Sequence, residues 1–477
     1  MVLVRSNIKM GLKYMENLPS IIKQARDMGL QIPYSNDILP LLDNALIING
    51  KKIANRIAFH PMEGSDGKPD GLPGKLTFRR YKRFAHGAPG LIWAEATAVV
   101  PEGRANPHQL WLNKDNVDSF KALTEDIKQI CLRENGFEPI IILQLTHSGR
   151  YSKPEGVPAP IIAYNNPLFE KDKPIDEKNI VTDDYLRGLE EIYGKTAALA
   201  QDAGFDGADI KCCHRYLLSE LLSAYERPGD YGGSFENRVK MFLNCVKSAK
   251  AEVKDNFIVT TRFNTYDGFP YPYGFGTAPG GSTVPDHTDG LRLIGILHKK
   301  LDMGLINITM GNPYVNPNVN RPANTNTNRS VENPLVGAER ILNASKIVQK
   351  EFPGLKVICS GLSFWGGNMA NVAAGAVEEG YASIAGFGRQ AFARPDFLKD
   401  IKNPPVGAGL VPALGSGADK GRAQGPPLRE NSISENKDCL ACGKCSELLR
   451  AGSPTGCVTR DGEVYLPFYK KYVQNIT

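Results

Sequence analysis

Short apolar, β-branched runs recur along this chain, and helical stretches separate most of them. The runs are KIANRIAFHPM (52–62), GLIWAEAT (90–97), PIIILQLTH (139–147), GADIKCC (207–213), FIVTTRFN (257–264), GLINITMG (304–311), LKVICSG (355–361) and ASIAGFGR (382–389). Their near-continuous apolar character fits strands covered on both faces, not half-exposed alternating ones. Between them lie amphipathic stretches at 117–135, 183–204, 236–253 and 337–352. Eight strands alternating with helices predict an α/β chain closed into a (β/α)8 TIM barrel. An open doubly wound sheet is the alternative that pattern alone leaves standing.

A length of 477 residues with 42% hydrophobic content supports a large buried core. The net charge of +6 comes from 57 basic and 51 acidic residues, without a basic block, so nucleic acid is not the expected partner. No apolar run approaches the ~18 residues of a membrane span. The first twenty residues show no continuous apolar segment with a cleavage site, so no signal peptide is expected and the cytoplasm is the expected compartment. Three regions depart from the strand–helix rhythm. Residues 1–44 read as an N-terminal extension. Residues 265–290, rich in Gly, Pro and Tyr, read as a long loop after the fifth strand, on the face where barrels carry their sites. Residues 403–430 read as a linker, which gives a layout of 1–44, a barrel at 45–402 and a C-terminal segment at 403–477.

Polar residues cluster where the strands end: His60 and Glu63, Glu95 and Thr97, Gln144 and His147, Lys211 and His214, Arg262 and Asn264, Gly388 and Arg389. Barrel sites are built from such ends, so these residues predict a pocket there. The last two strands finish in CSGLS (359–363) and GFGR (386–389). Glycine lets backbone N–H groups approach a phosphate, and arginine adds a charged fork. A phosphorylated cofactor is therefore favoured over plain turns. Of the nine cysteines, Cys439, Cys442, Cys445 and Cys457 stand as C-x2-C-x2-C-x11-C. Three closely spaced thiolates and a later fourth suit a 4Fe-4S cluster; zinc and free thiols are the rivals.

These features together resemble the Old Yellow Enzyme family of NADH:flavin oxidoreductases, and more closely its iron–sulfur branch. The resemblance is carried by AGFDGADIKCCHRYLLSELLSAYERPGDYGGSFENR (203–238), with LQLTHSGR (143–150), GNPYVNPNVNRP (311–322) and GCVTRD (456–461) in support. It implies an FMN site. Pro61, Met62 and Glu63 would touch the flavin, with Ala96 beside its carbonyl edge. Gln144 would bond the pyrimidine ring, and Arg262 would stand on the N1/O2 side. Gly361, Gly388 and Arg389 would hold the phosphate. The family's substrate-binding pair is usually His-x-x-His or His-x-x-Asn followed by Gly-Tyr. Here it reads Lys211, Cys212, Cys213, His214, Arg215, Tyr216, with Lys211 for the first histidine and Arg215 for the glycine.

The resemblance further implies an ene-reductase that takes hydride from NADH or NADPH and delivers it to an activated C=C of an α,β-unsaturated carbonyl compound. Lys211 and His214 would polarise the carbonyl, and Tyr216 would protonate the α-carbon. The loop at 265–290 and the N-terminal extension are expected to shape a pocket for a bulky, flat substrate. An amine dehydrogenase that passes electrons through the cluster is one alternative. An electron-transfer subunit working with a partner protein is another. No Gly-rich dinucleotide fingerprint follows the cysteine segment, so the FAD/NAD(P)H domain of the larger relatives is not expected in this chain.

Overall fold

The computed structural model describes residues 18–322, 332–402 and 437–474. Residues 1–17 of the expected extension and the expected linker at 403–430 lie outside the described residues. Eight parallel strands close into a barrel: β3 (Ile57–Phe59), β4 (Leu91–Ala98), β5 (Ile140–Thr146), β6 (Gly207–Ile210), β7 (Ile258–Asn264), β8 (Leu305–Thr309), β9 (Lys356–Cys359) and β10 (Ile384–Phe387). β10 pairs with β3 through Ala385 and Ile57, which closes the cylinder and excludes the open sheet. Every residue of β4 and β5 is buried. Helices cover the outside of the barrel while its inside is packed, hence the continuous apolar runs.

The helices follow their sequence period. Val117–Asn135 buries Phe120, Leu123, Thr124, Ile127, Ile130 and Cys131, a stripe at three- and four-residue spacing. It stops at Gly136, whose φ of +77° closes the last turn on the carbonyl of Leu132. Asp183–Asp202 starts at Thr182, whose side chain accepts from the N–H of Tyr185.

The expected first strand, 52–62, divides into two elements. Lys51–Ile53 (β2) pairs antiparallel with Leu46–Ile48 (β1), around Asn49 and Gly50, both at positive φ. That is the two-residue turn an Asn-Gly pair favours. Asn55 separates β2 from β3: its side-chain oxygen accepts from the N–H groups of Ile57 and Gly90, and its amide donates to Ala88. Leu46, Ile48 and Ile53 pack in one cluster with Ala58, Leu91, Trp93, Ile140, Ile142, Ile258, Leu305, Ile358 and Ile384. Most of these barrel residues lie in the first half of their strands, so the hairpin plugs the N-terminal mouth. Burying each of these aliphatic side chains contributes about 1.5–3 kcal/mol.

The opposite mouth receives the C-terminal segment. The N–H of Thr455 donates to the carbonyl of Gly64 at 2.7 Å. Asp461 accepts from Arg79 and Arg83, and Asp438 from Gln390 and Arg394. Residues 18–44 take a different position. Ser35 bonds the carbonyl of Asn371 in the helix Met369–Glu378, on the outer layer of the barrel. Among the described residues no helix is long and apolar enough to cross a membrane.

Candidate active site

A cavity opens at the C-terminal ends of the strands, the face on which barrels of this kind build their sites. Every flavin-site and catalytic residue expected from the sequence lines it: Pro61, Met62, Glu63, Ala96, Gln144, Lys211, His214, Tyr216, Arg262, Gly361, Gly388 and Arg389. His60 lines it too.

Several of the polar strand ends serve as supports and do not line the cavity. Glu95 accepts from Arg80 at 2.6 Å and from the N–H of Gly64 at 2.7 Å, and so fixes the segment that carries Pro61–Glu63. Arg80 also holds Asp66, and all three side chains are almost fully buried. His147 bonds Tyr185, Asn264 donates to the carbonyl of Gly311, and the Thr97 hydroxyl donates to the carbonyl of Glu95. The loop at 265–290 and residues 18–44 do not line the cavity, against the expectation that they shape it. The loop is turned toward Arg215, and the N-terminal residues are occupied on the barrel's flank.

The β6 turn explains how His214 and Tyr216 reach one cavity. His214 and Arg215 both take positive φ, +63° and +56°. Non-glycine residues adopt this region at a cost of about 1–3 kcal/mol each. The double reversal sends Arg215 away from the cavity, where it donates to Asp267, Ser223 and the carbonyl of Tyr273. Its guanidinium lies near the rings of Phe169 and Phe269. The ammonium of Lys211 sits 3.6 Å from the centre of the Tyr216 ring. Burial draws the Lys211 pKa down, and Cys213, Glu63 and Asp209 oppose that. Burial holds the Tyr216 phenol well above its ordinary range, so it is a neutral acid. His214 accepts from the Asn320 amide at Nε2, 3.1 Å away. Burial, then Arg262, Lys211 and Arg321, keep its imidazole neutral.

Gln144 commits its amide nitrogen to Asp209 at 2.6 Å, which leaves its amide oxygen as the polar atom to offer a ligand. Asp209 also accepts from Trp93 and from the N–H of Arg262. The Arg262 Nε is buried without a partner. A donor stranded in this way marks a place for a polar ligand atom. At the other end, Gly361 has a φ of +91°, and a side chain on Gly386 would strike the His60 ring at 2.3 Å. His60 is kept neutral by burial and Arg262, and it bonds Asn307 and Ser360.

The sequence reading missed Arg321, Tyr314, Asn320, Ser360 and Ser363, which also line the cavity. The first three belong to GNPYVNPNVNRP, which was recognised as a motif without roles for its residues. Burial, and then the neighbouring Arg389, push the Arg321 pKa down to about 10, so two guanidinium groups converge at the phosphate-like end.

Cys439, Cys442, Cys445 and Cys457 line one smaller cavity, together with Arg389 and Phe392. Cys445, Arg389 and Phe392 border both cavities. Backbone N–H groups of Ala441 and Arg460 point at the sulfurs of Cys439 and Cys457, at 3.4 and 3.3 Å. Among the described residues no group of three or more His, Cys, Asp or Glu side chains is gathered as a bound metal ion would require. A third, outer cavity shares Glu63, Tyr314 and Leu449 with the barrel cavity and lies between residues 105–108, 151–156 and 449–454.

A profile described as the NADH:flavin oxidoreductase / NADH oxidase family matches residues 45–277. The chain is 35% identical over 209 residues to an NADPH dehydrogenase of Halalkalibacterium halodurans, covering 43% of this chain and 58% of that one. It is 30% identical over 258 residues to an NADPH dehydrogenase of Listeria monocytogenes, covering 51% of this chain and 69% of that one. The chain thus spans less than three fifths of the length of the Halalkalibacterium protein. Among solved structures it is similar to a 2-naphthoyl-CoA reductase in complex with 2-naphthoyl-CoA, with a TM-score of 0.67, 16% identity and coverage of 88% and 56%. An Old Yellow Enzyme homologue from Zymomonas mobilis gives a TM-score of 0.57, 21% identity and coverage of 76% and 94%. At these identities the solved structures share the fold.

Proposed function

The chain belongs to the NADH:flavin oxidoreductase / NADH oxidase family, and on that premise we propose that it is an FMN-dependent ene-reductase. The reading is carried by one observation: residues from separate strand ends, each with a polar group suited to a different part of a flavin nucleotide, line a single cavity. The unpartnered Arg262 Nε and the uncommitted amide oxygen of Gln144 fit the polar edge of such a ring. Gly361, Gly388 and Arg389 would hold the phosphate, with Arg321 beside them. Pro61, Met62, Glu63 and Ala96 would flank the ring. When bound, FMN would supply hydride transfer from NADH or NADPH to the β-carbon of an activated alkene.

The protein's own groups do the rest. Lys211 and His214 would face the carbonyl oxygen of the acceptor and stabilise the charge that grows on it. His214 accepts at Nε2, so its proton is on Nδ1, where it can be donated. Tyr216, held neutral by burial, would donate its phenolic proton to the α-carbon. Lys211, Arg262, Arg321 and Arg389 make the cavity cationic. That supports an uncharged or anionic acceptor over a cationic amine. The 2-naphthoyl-CoA bound by the structurally similar reductase belongs to this class in carrying an aryl carbonyl and an anionic tail.

We assign the four C-terminal cysteines to a 4Fe-4S cluster. Their spacing, their shared cavity and the two N–H groups aimed at sulfur support it. Burial raises the Cys439 thiol, and the Arg389 guanidinium works the other way, toward the thiolate a cluster needs. The wall shared by the two cavities favours, as a second reading, a flavoprotein that passes electrons to a partner protein through the cluster. The layout of barrel at 45–402 and cluster segment at 403–477 is part of the same proposal.

The test is anaerobic stopped-flow kinetics with NADH, NADPH and 2-cyclohexenone. Tyr216→Phe and Lys211→Ala should keep flavin reduction and slow flavin reoxidation by the enone. If both half-reactions run at wild-type speed in these variants, the assignment of the two residues is wrong.

A further inference from the structure

Tyr216 must recover a proton after each turnover, and it is 3% exposed. Among the described residues its hydroxyl bonds the hydroxyl of Tyr314 at 2.8 Å. Tyr314 is itself held by Tyr151 and Asn312. Its ring stacks on Tyr151 with centroids 4.1 Å apart and planes inclined by 28°. Its backbone N–H donates to the side chain of Asn312, whose amide donates to the Tyr151 hydroxyl at 2.5 Å. Tyr314 and Glu63 border both the barrel cavity and the outer cavity. One carboxylate oxygen of Glu63 is buried with no hydrogen-bond partner.

We propose that Tyr314 and Glu63 form a proton path that recharges Tyr216 from the outer cavity. The proposal rests on the ene-reductase reading and adds two residues to its proton chemistry. As the acceptor's β-carbon receives hydride, the Tyr216 phenol gives its proton to the α-carbon. The phenolate then takes the proton of the Tyr314 hydroxyl across the existing hydrogen bond. Tyr314 is reprotonated from the Glu63 carboxyl through water, and Glu63 from water in the outer cavity. One solvent proton enters for each hydride delivered, so the charges balance.

The surroundings of Glu63 suit this role. Burial raises its pKa to about 7; Lys211 lowers it and Glu95 raises it. Glu95 is committed to Arg80 and the Gly64 N–H. Tyr216 and Tyr314 face Glu63 as neutral phenols, both raised chiefly by burial, and Arg321 lies beside Tyr314. A carboxyl that titrates near neutrality both gives and takes a proton readily. The Lys211 ammonium over the Tyr216 ring steadies the transient phenolate.

Two measurements on the intact, FMN-loaded protein test this. The first is infrared titration between pH 5 and pH 9, with ranges chosen to bracket about 7. A protonated-carboxyl band that disappears with a midpoint near 7, is absent in Glu63→Gln and shifts in Tyr314→Phe supports the path. Absence of any such band overturns it, whatever the catalytic activity. The second is stopped-flow reoxidation by 2-cyclohexenone in H2O and D2O. Tyr314→Phe should keep its FMN and its rate of reduction by NAD(P)H. Its reoxidation should slow at least about 10-fold, short of the roughly 10²–10⁴-fold expected for loss of a general acid, with an enlarged solvent isotope effect. Wild-type reoxidation rate and isotope effect in Tyr314→Phe would overturn the path while leaving the ene-reductase reading intact. A wild-type protein that reduces no enone overturns the ene-reductase reading, and the path with it.

Discussion

The guanidinium of Arg215 donates to Asp267 across 2.8 Å with both side chains closed to solvent, and this pair ties the turn after β6 to the long loop after β7. Breaking a buried pair strands a charge, at a cost of about 3–5 kcal/mol. Asp267→Ala should therefore lose stability on that scale in chemical denaturation. Arg215→Met combined with Asp267→Leu should lose less than the sum of the single changes, since both charges leave together.

Gly386 is needed because His60 occupies the space where its side chain would be. A Cβ there would lie 2.3 Å from the imidazole and 2.4 Å from the carbonyl of Cys359. Gly386→Ala should displace His60 into the cavity and lower the flavin-to-protein ratio of purified material at least about 10-fold, the equivalent of 1.4 kcal/mol. Gly290→Ala is the control, because the nearest atom to its Cβ is 3.7 Å away.

Glu63 makes stability depend on pH. Its folded pKa, about 7, lies above its ordinary 4.5. Between those values the folded state binds more protons than the unfolded chain. Stability therefore falls as pH rises from about 4.5 to 7, by at most roughly 3 kcal/mol at 1.36 kcal/mol per unit. Denaturation midpoints of wild type and Glu63→Gln, measured across this window, should diverge as pH rises, with the variant declining less.

The cysteine cavity predicts separable cofactors. Cys457→Ala should abolish bound iron and acid-labile sulfide, because Cys457 is the distant fourth thiol of the set. Flavin content should persist, since Cys457 does not line the barrel cavity. Joint loss of flavin and iron would instead mean that the segment from Cys439 to Asp461 holds the barrel mouth together.

The barrel was legible in the sequence because parallel strands buried on both faces need long apolar runs, and all eight stand in the structure where those runs predicted them. The β1–β2 hairpin was not read, although Asn49-Gly50 is its signature; the alternation around it is only three residues long on each side. Polar strand ends gave the site only in part. Glu95 and His147 have the same chemistry as Glu63 and His214, and only three-dimensional packing separates support from lining. Tyr314 and Arg321 come from a loop without periodicity, so nothing local announced that they face the cavity.

The hairpin stopper has a consequence for traffic. With Leu46, Ile48 and Ile53 corking one end of the cylinder, an electron donor and an electron acceptor would both come to the C-terminal mouth. They would then visit in turn and not meet, and steady-state rates plotted in reciprocal form would fall on parallel lines.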